Sequence, residues 1–406
     1  MKILKKCPIC DSKNISRLFF AERFPFFTAP VKKKEKREIL GKYTSRQLQG
    51  RLESVVCNKC SHIFLSTLAP EKIISELYKK FYSYPSALES SFIPERDNAF
   101  LEVFKDKILR KLRKDQKNIL EIGCYDGFIL YNLKKLGFSV TGCDPSNGAV
   151  IGQSHNIDIK RRFFDVEYFL KASLSYDLII FRHFLEHVAK PVDFLKNLNK
   201  ILKPNGLIIF EVPSTDFHLK NIETSVFSFQ HLQYFSDISI KQLLYKSGLK
   251  LIDIVNTGEN LIITSSLEKS RITKNGKAVR KSSESFRNRF KNKKEQLKKM
   301  LRQYSDNGIV LWGAGGFAVS LMETYDVKKK NICQIVDSDA KKWGMEFLKH
   351  GIPIASPNTL KKIDHGCLVI CSMYAKEIIK QLKTLKYDKP IINLYPNLKL
   401  YKAGRL

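Results

Sequence analysis

The stretch "NILEIGCYDGFIL", residues 118–130, decides how the chain is read. An apolar run ends at Glu121-Ile122-Gly123, and a helical pattern resumes after Asp126-Gly127. Gly123 and Gly127 permit a tight strand-to-helix turn and let a ligand approach the backbone where a helix N-terminus presents free N–H groups. The following run, "FSVTGCD", ends in Asp144, placed to bond both hydroxyls of a ribose.

A dinucleotide-binding turn would carry a middle glycine where Tyr125 stands, and the acidic Glu121 inside the motif favours a cation. Glu121, Gly123, Asp126, Gly127 and Asp144 are therefore expected to bind S-adenosylmethionine (SAM), whose sulfonium and amino groups are positive, rather than NAD. The adenine is expected near Phe164, within "RRFFD", and His183 at the end of a later strand joins the same set. His187, just before "AKPVDF", reads as a helix-entry or loop contact rather than a base.

Outward from this turn, "YDLIIFRH", "GLIIFEVP", "LKLIDIVN" and "NLIITSSLE" alternate with helical patterns. Such alternation predicts a parallel sheet with helices on both faces, closed by extra strands, over residues 116–268. Residues 71–115 read as helices flanking a Tyr, Ser and Pro-rich loop. Residues 269–305 are strongly basic and read as a linker followed by a solvated helix, with Phe286, Phe290, Leu297 and Leu301 on one narrow face. From 306 to 406 strand, glycine turn, helix and strand recur, beginning with "LWGAGGFAVSLM", which predicts a second nucleotide-type α/β domain.

Residues 1–70 hold Cys7 and Cys10 in "CPIC" and Cys57 and Cys60 in "CNKC", with a basic middle of little helical periodicity. Two C-x-x-C pairs predict a closed, structural zinc site, although the span between them is longer than in common zinc ribbons. The other five cysteines of the nine are scattered, which fits a reduced compartment. No apolar run is long enough to span a bilayer or to serve as a secretory leader, so a cytoplasmic protein is expected. The formal charge of +31 suits an anionic partner, yet lysine is spread along the whole chain, which argues against a dedicated nucleic-acid surface.

Taken together, the cysteine pairs, the cofactor turn and the downstream unit resemble the zinc-containing sugar C-methyltransferases of nucleotide-deoxysugar pathways. "VDSDAKKWGMEFLKHGIPIASPNTL" and "YSYPS" are similar to that family's downstream succession and to its substrate-pocket loop. The resemblance implies a zinc module, a class I SAM domain and a C-terminal Rossmann-like domain enclosing a TDP-linked 4-keto sugar. It places Tyr82, Tyr84 and Ser86 at the substrate, and His231 as the base that forms an enolate for C-methylation.

Where the family has Tyr-His-Glu-His, this chain has Ser228-Phe229-Gln230-His231, so Gln230 replaces the glutamate beside the base. "VICSMYAKEII" also departs from the family's Trp-Asn-Phe stretch. Gly313 and Gly315 offer a turn for the diphosphate of the substrate. O- or N-methylation of a sugar remains the alternative, with an RNA methyltransferase or a non-catalytic SAM- and nucleotide-binding protein behind it.

Overall fold

The protein is described by a computed structural model covering residues 1–81, 86–89, 95–268, 277–304, 307–325 and 327–404. At its centre lies a seven-stranded sheet whose spatial order is 250–256, 260–266, 202–213, 176–182, 118–122, 139–143 and 158–160. The five strands from Leu202–Pro213 to Asp158–Lys160 run parallel, while Asn260–Ser266 is inserted antiparallel to Leu202–Pro213 and to Lys250–Asn256. Strand Tyr176–Arg182 is buried on both faces up to Phe181, as an unbroken apolar run requires in a sheet covered by helices.

The first cross-over is set by sequence. Gly127 at φ +74 precedes helix Phe128–Lys135, whose Ile129, Leu130 and Leu133 pack against the sheet. Gly142 and Gly152 allow close packing around Ile159, since an added Cβ would lie 3.0 and 2.3 Å from its side chain.

The N-terminal module is a meander of Ile15–Pro25, Gln49–Cys57 and Ile63–Leu65. Its fourth strand, Gln233–Tyr234, comes from the segment that follows the central sheet's strand Leu202–Pro213. The basic middle of the module, expected to be irregular, forms helix Lys33–Lys42. Ile39 alone is buried there, which is why no apolar period is visible; Glu35 caps the helix by accepting from the Lys32 N–H at 2.9 Å.

Helix Lys277–Arg302 lies between this module and the C-terminal domain, with Phe286, Leu297 and Leu301 buried and Phe290 half-buried. One apolar cluster joins these elements: Phe19 stacks on Phe227 at 4.5 Å and Phe26 meets Phe229 edge-on at 4.8 Å. The segment 219–234 is therefore packed by three parts of the chain at once.

The C-terminal domain is a six-stranded sheet in the order 354–355, 332–336, 309–312, 367–370, 391–393 and 399–401. All strands are parallel except the last. Helix Gly316–Thr324 follows its first strand and presses Ala318, Val319 and Leu321 into the core. No helix among the described residues is long and apolar enough to cross a membrane.

Candidate active site

At the carboxyl end of strand Asn118–Ile122, Gly123 adopts φ +71 and donates its N–H to the Cys143 carbonyl at 2.8 Å. Tyr125 is also left-handed, at φ +49, and its N–H donates to Asp144 Oδ2 at 2.9 Å. Asp144 Oδ1 accepts from Ser146 N–H at 2.8 Å. Each oxygen of this carboxylate thus carries one backbone donor and retains a lone pair for a ribose hydroxyl. Asp126 Oδ1 caps the following helix through Phe128 N–H at 3.1 Å, and its Oδ2 accepts from Ser86 Oγ at 2.7 Å. Ser86 therefore stands at the cofactor turn; Tyr82 and Tyr84 lie outside the described residues.

Glu121 is 3% exposed and its Oε2 has no hydrogen-bond partner among the described residues. Burial pushes its carboxyl up to about 8, against the pull of Arg182. Arg182 itself is held by Glu211 at 2.7 Å and Asp97 at 2.8 Å, with its guanidinium 4.5 Å above the Phe100 ring. Three buried carboxyls, Glu121, Glu211 and Asp97, around one guanidinium leave room for a cationic ligand, and with the Asp144 geometry they fit SAM.

Phe164 packs on Phe169 at 5.5 Å and edge-on to Phe194 at 5.8 Å, while its neighbour Phe163 is 54% exposed. His183 adopts φ +46, its N–H donates to the Glu211 carbonyl at 3.0 Å, and its ring lies 3.5 Å from Glu186 Oε1. The turn that follows, Leu185–His187, tucks Leu185 into the core. It leaves Glu186 and His187 beside the segment 230–232. There Leu232 N–H donates to the Glu186 carbonyl at 2.7 Å, and His187 Nδ1 donates to the Gln230 carbonyl at 2.6 Å.

This pairing brings His187 and His231 to 5.1 Å between ring centroids. One ligand atom each from Glu186, His187 and His231 lies within 4.8 Å of the others. Burial, and then the neighbouring His187, push the His231 imidazole down to about 3. Glu186 is held down to about 2: burial opposes this, and the His183 hydrogen bond with the nearby His187 outweighs it.

A general base works best with a pKa near the working pH. Burial holds the His231 imidazole below that range, in a setting suited to hydrogen bonding or ligation as well as to proton transfer. Gln230 meets His187 through its backbone carbonyl.

His231 also borders a cavity of about 10 Å³, roughly one water. His218 lines the same cavity, its Nδ1 hydrogen-bonded at 2.7 Å to Glu223, which Ser225 Oγ supports at 2.9 Å. The sequence reading set His187 aside and passed over Glu186, Arg182, Glu211 and His218. The available signal was Leu185-Glu186-His187 itself, a buried apolar residue followed by two polar ones at a strand's carboxyl end.

The C-terminal turn differs in character. Gly313, at φ +113, lies so close to the chain that an added Cβ would sit 2.4 Å from the Cys371 carbonyl, a packing demand. Gly315 faces open space, and Asp337 Oδ2 accepts from the Ala314 N–H at 2.7 Å.

In the N-terminal module all four sulfurs of Cys7, Cys10, Cys57 and Cys60 lie within 4.8 Å of one another. The pairs Cys7–Cys60 and Cys10–Cys57 are 3.5 Å apart, far beyond a disulfide and near the ~3.8 Å edge of a tetrahedral zinc–sulfur site. Each C-x-x-C forms the same turn: Asp11 N–H donates to the Cys7 carbonyl and Ser61 N–H to the Cys57 carbonyl, both residues left-handed. Cys57 is held far down by donors Cys60 and Cys7, and these same contacts push Cys60 and Cys7 up. Four crowded thiols of this kind fit a dication that replaces their protons.

Residues 96–254 match the family described as "Methyltransferase domain", and residues 305–392 match the family described as "C2185-like, N-terminal". The first match covers the cofactor turn and its sheet. Residues 96–254 are a class I SAM-dependent methyltransferase domain.

This domain is similar to the ubiquinone biosynthesis O-methyltransferase of Coxiella burnetii, 28% identical over 153 residues, covering 34% of this chain and 65% of the relative. It is also 28% identical to that of Rhizobium etli over 121 residues, 27% of this chain and 49% of the relative. The chain thus spans less than two thirds of the curated relatives it matches. Among solved structures, a SAM-dependent methyltransferase from Clostridium acetobutylicum is similar at 13% identity and a TM-score of 0.34, covering 48% of this chain and 98% of that one. The glycopeptide N-methyltransferase MtfA bound to SAM is similar at 9% identity and a TM-score of 0.32, covering 40% of this chain and 91% of that one.

Proposed function

We propose that the chain transfers a methyl group from SAM to a small anionic acceptor, a sugar carried on a nucleotide. The observation that carries the reading is the contact between two turns. An added Cβ on Gly123 would meet the Phe184 ring at 2.9 Å, so the turn bearing Glu186 and His187 lies against the cofactor turn. This contact supports the reading that Glu186 and His187 handle the acceptor beside a methyl donor held by Asp144 and Glu121.

SAM, when bound, supplies an electrophilic methyl on a sulfonium. The chain's own part is to orient and to exclude water: Asp144 fixes the ribose, buried Glu121 faces the donor's positive charge, and the turn bearing Glu186 and His187, with His231, positions the acceptor. The nucleotide-sugar assignment draws on the resemblance of the cysteine module and of the C-terminal succession. It also draws on the second α/β domain packed against the segment that carries His231. The four-cysteine zinc is structural in this reading.

Oxygen is the favoured acceptor atom, because a neutral His231 and Gln230 lack the base strength of the resembled cluster, and because the curated relatives are named O-methyltransferases. Carbon beside a ketone is the second reading, favoured by the retained His231 and Tyr234-Phe235-Ser236. Calorimetric titration with SAM and with TDP tests the two halves separately: SAM binding without any TDP affinity would remove the sugar and keep the methyl donor.

A further inference from the structure

We infer that Glu186, His187 and His231 hold a divalent first-row transition-metal cation, separate from any ion in the cysteine module. The three side chains offer one carboxylate oxygen and two imidazole nitrogens, a donor set that suits zinc, manganese or iron(II). Their ligand atoms lie within 4.8 Å of one another, against about 3.3 Å for neighbouring ligands of a tetrahedral ion.

Three further observations point to a cation rather than to a closed hydrogen-bond cluster. Glu186 is 1% exposed, yet its Oε2 has no hydrogen-bond partner among the described residues. A buried carboxylate oxygen left in that state is destabilising, and a ligated ion removes the cost. Next, His187 donates Nδ1–H to the Gln230 carbonyl at 2.6 Å, which fixes the tautomer that leaves Nε2 bare, as backbone carbonyls do behind ligating histidines. Finally, the backbone bond from Leu232 N–H to the Glu186 carbonyl locks the two ligand-bearing segments together, so the site is assembled before any ion arrives.

For its chemical role the inference rests on the methyltransferase reading. A three-ligand site keeps positions open for acceptor oxygens. A hydroxyl bound there releases its proton to water. Its oxygen pair then forms the O–CH3 bond while the S–CH3 pair returns to sulfur, leaving S-adenosylhomocysteine.

The test uses the full chain, purified with zinc, and cobalt(II) as the probe in the absence of SAM. Equilibrium dialysis with elemental analysis is expected to give one zinc retained and one cobalt added per chain. The cobalt should show ligand-field bands without sulfur-to-metal charge transfer. Glu186→Gln and His231→Ala, with His231→Gln in reserve should the alanine variant not fold, are each expected to weaken cobalt binding at least tenfold while zinc content and circular dichroism stay unchanged. No cobalt beyond the zinc, or cobalt binding equal in wild type and both variants, overturns the inference. Since the readout needs no SAM, its failure is distinct from failure of the methyltransferase reading, which would show as an absence of SAM binding.

Discussion

Glu121 makes a prediction that separates a built cofactor site from a mere strand-helix turn. Its carboxyl is buried beneath the cofactor turn and raised to about 8, so at pH 7 about nine-tenths of the free protein carries the proton. A cationic ligand bound beside it favours the carboxylate, so SAM binding expels that proton. The affinity for SAM should then rise with pH: if the bound form titrates below pH 6, the gain from pH 6 to pH 8 is about 50-fold.

Titration calorimetry at pH 7 in two buffers of different ionisation enthalpy measures the release directly, and Glu121→Gln supplies the control. Titration of the ligand's own amine is common to both proteins and cancels in the comparison. A release near one proton in wild type and near zero in Glu121→Gln is expected. Equal release in both, or affinity that is flat between pH 6 and 8, would refute the placement of SAM beside Glu121. The same linkage acts on stability. A carboxyl raised above its unfolded value stabilises the fold fully below the unfolded pKa of 4.5 and loses that contribution as pH climbs through about 8. The SAM-free protein should therefore melt lower at pH 8 than at pH 5.5, and Glu121→Gln should flatten that slope.

Three other outcomes follow from the geometry. Cys57→Ser, or a strong chelator, should release one zinc per chain by elemental analysis and lower the melting temperature. Weaker SAM-site order should accompany the loss, because His62 beside the cysteine turn holds Gln233 at 2.8 Å and Gln233 holds the Val188 carbonyl at 3.0 Å. Gly123→Ala forces a Cβ to 2.9 Å from Phe184 at φ +71, and should cost about 1–3 kcal/mol in urea unfolding together with most SAM affinity. Arg182→Met strips Glu211 and Asp97 of their partner and should destabilise by about 3–5 kcal/mol, with the loss smaller at pH 5 where the carboxyls can protonate.

The cofactor half of the site was legible because its residues are consecutive. Glu121, Gly123, Gly127 and Asp144 stand at the ends of two neighbouring strands, and local turn chemistry alone placed them. The cysteine pairs were legible for the same reason, each C-x-x-C being its own turn. The acceptor half was not. His231 meets Glu186 and His187 only through contacts across the fold, and Gln233–Tyr234 pairs with strand Ile63–Leu65, about 170 residues upstream. Periodicity carries no trace of such a contact. Helix Lys33–Lys42 escaped notice because a single buried isoleucine gives no amphipathic stripe. The lowered pKa of His231 likewise depends on burial between distant segments, which local sequence does not show.

Methyl transfer to a nucleotide-linked sugar is the activity proposed for this chain. Incubating the protein with methyl-labelled SAM and a panel of nucleoside diphosphate sugars, followed by fragmentation mass spectrometry, tests it most directly. Label is expected on the sugar fragment, on oxygen, with S-adenosylhomocysteine formed in equal amount. Label on no member of the panel, from protein shown to bind SAM, would contradict it.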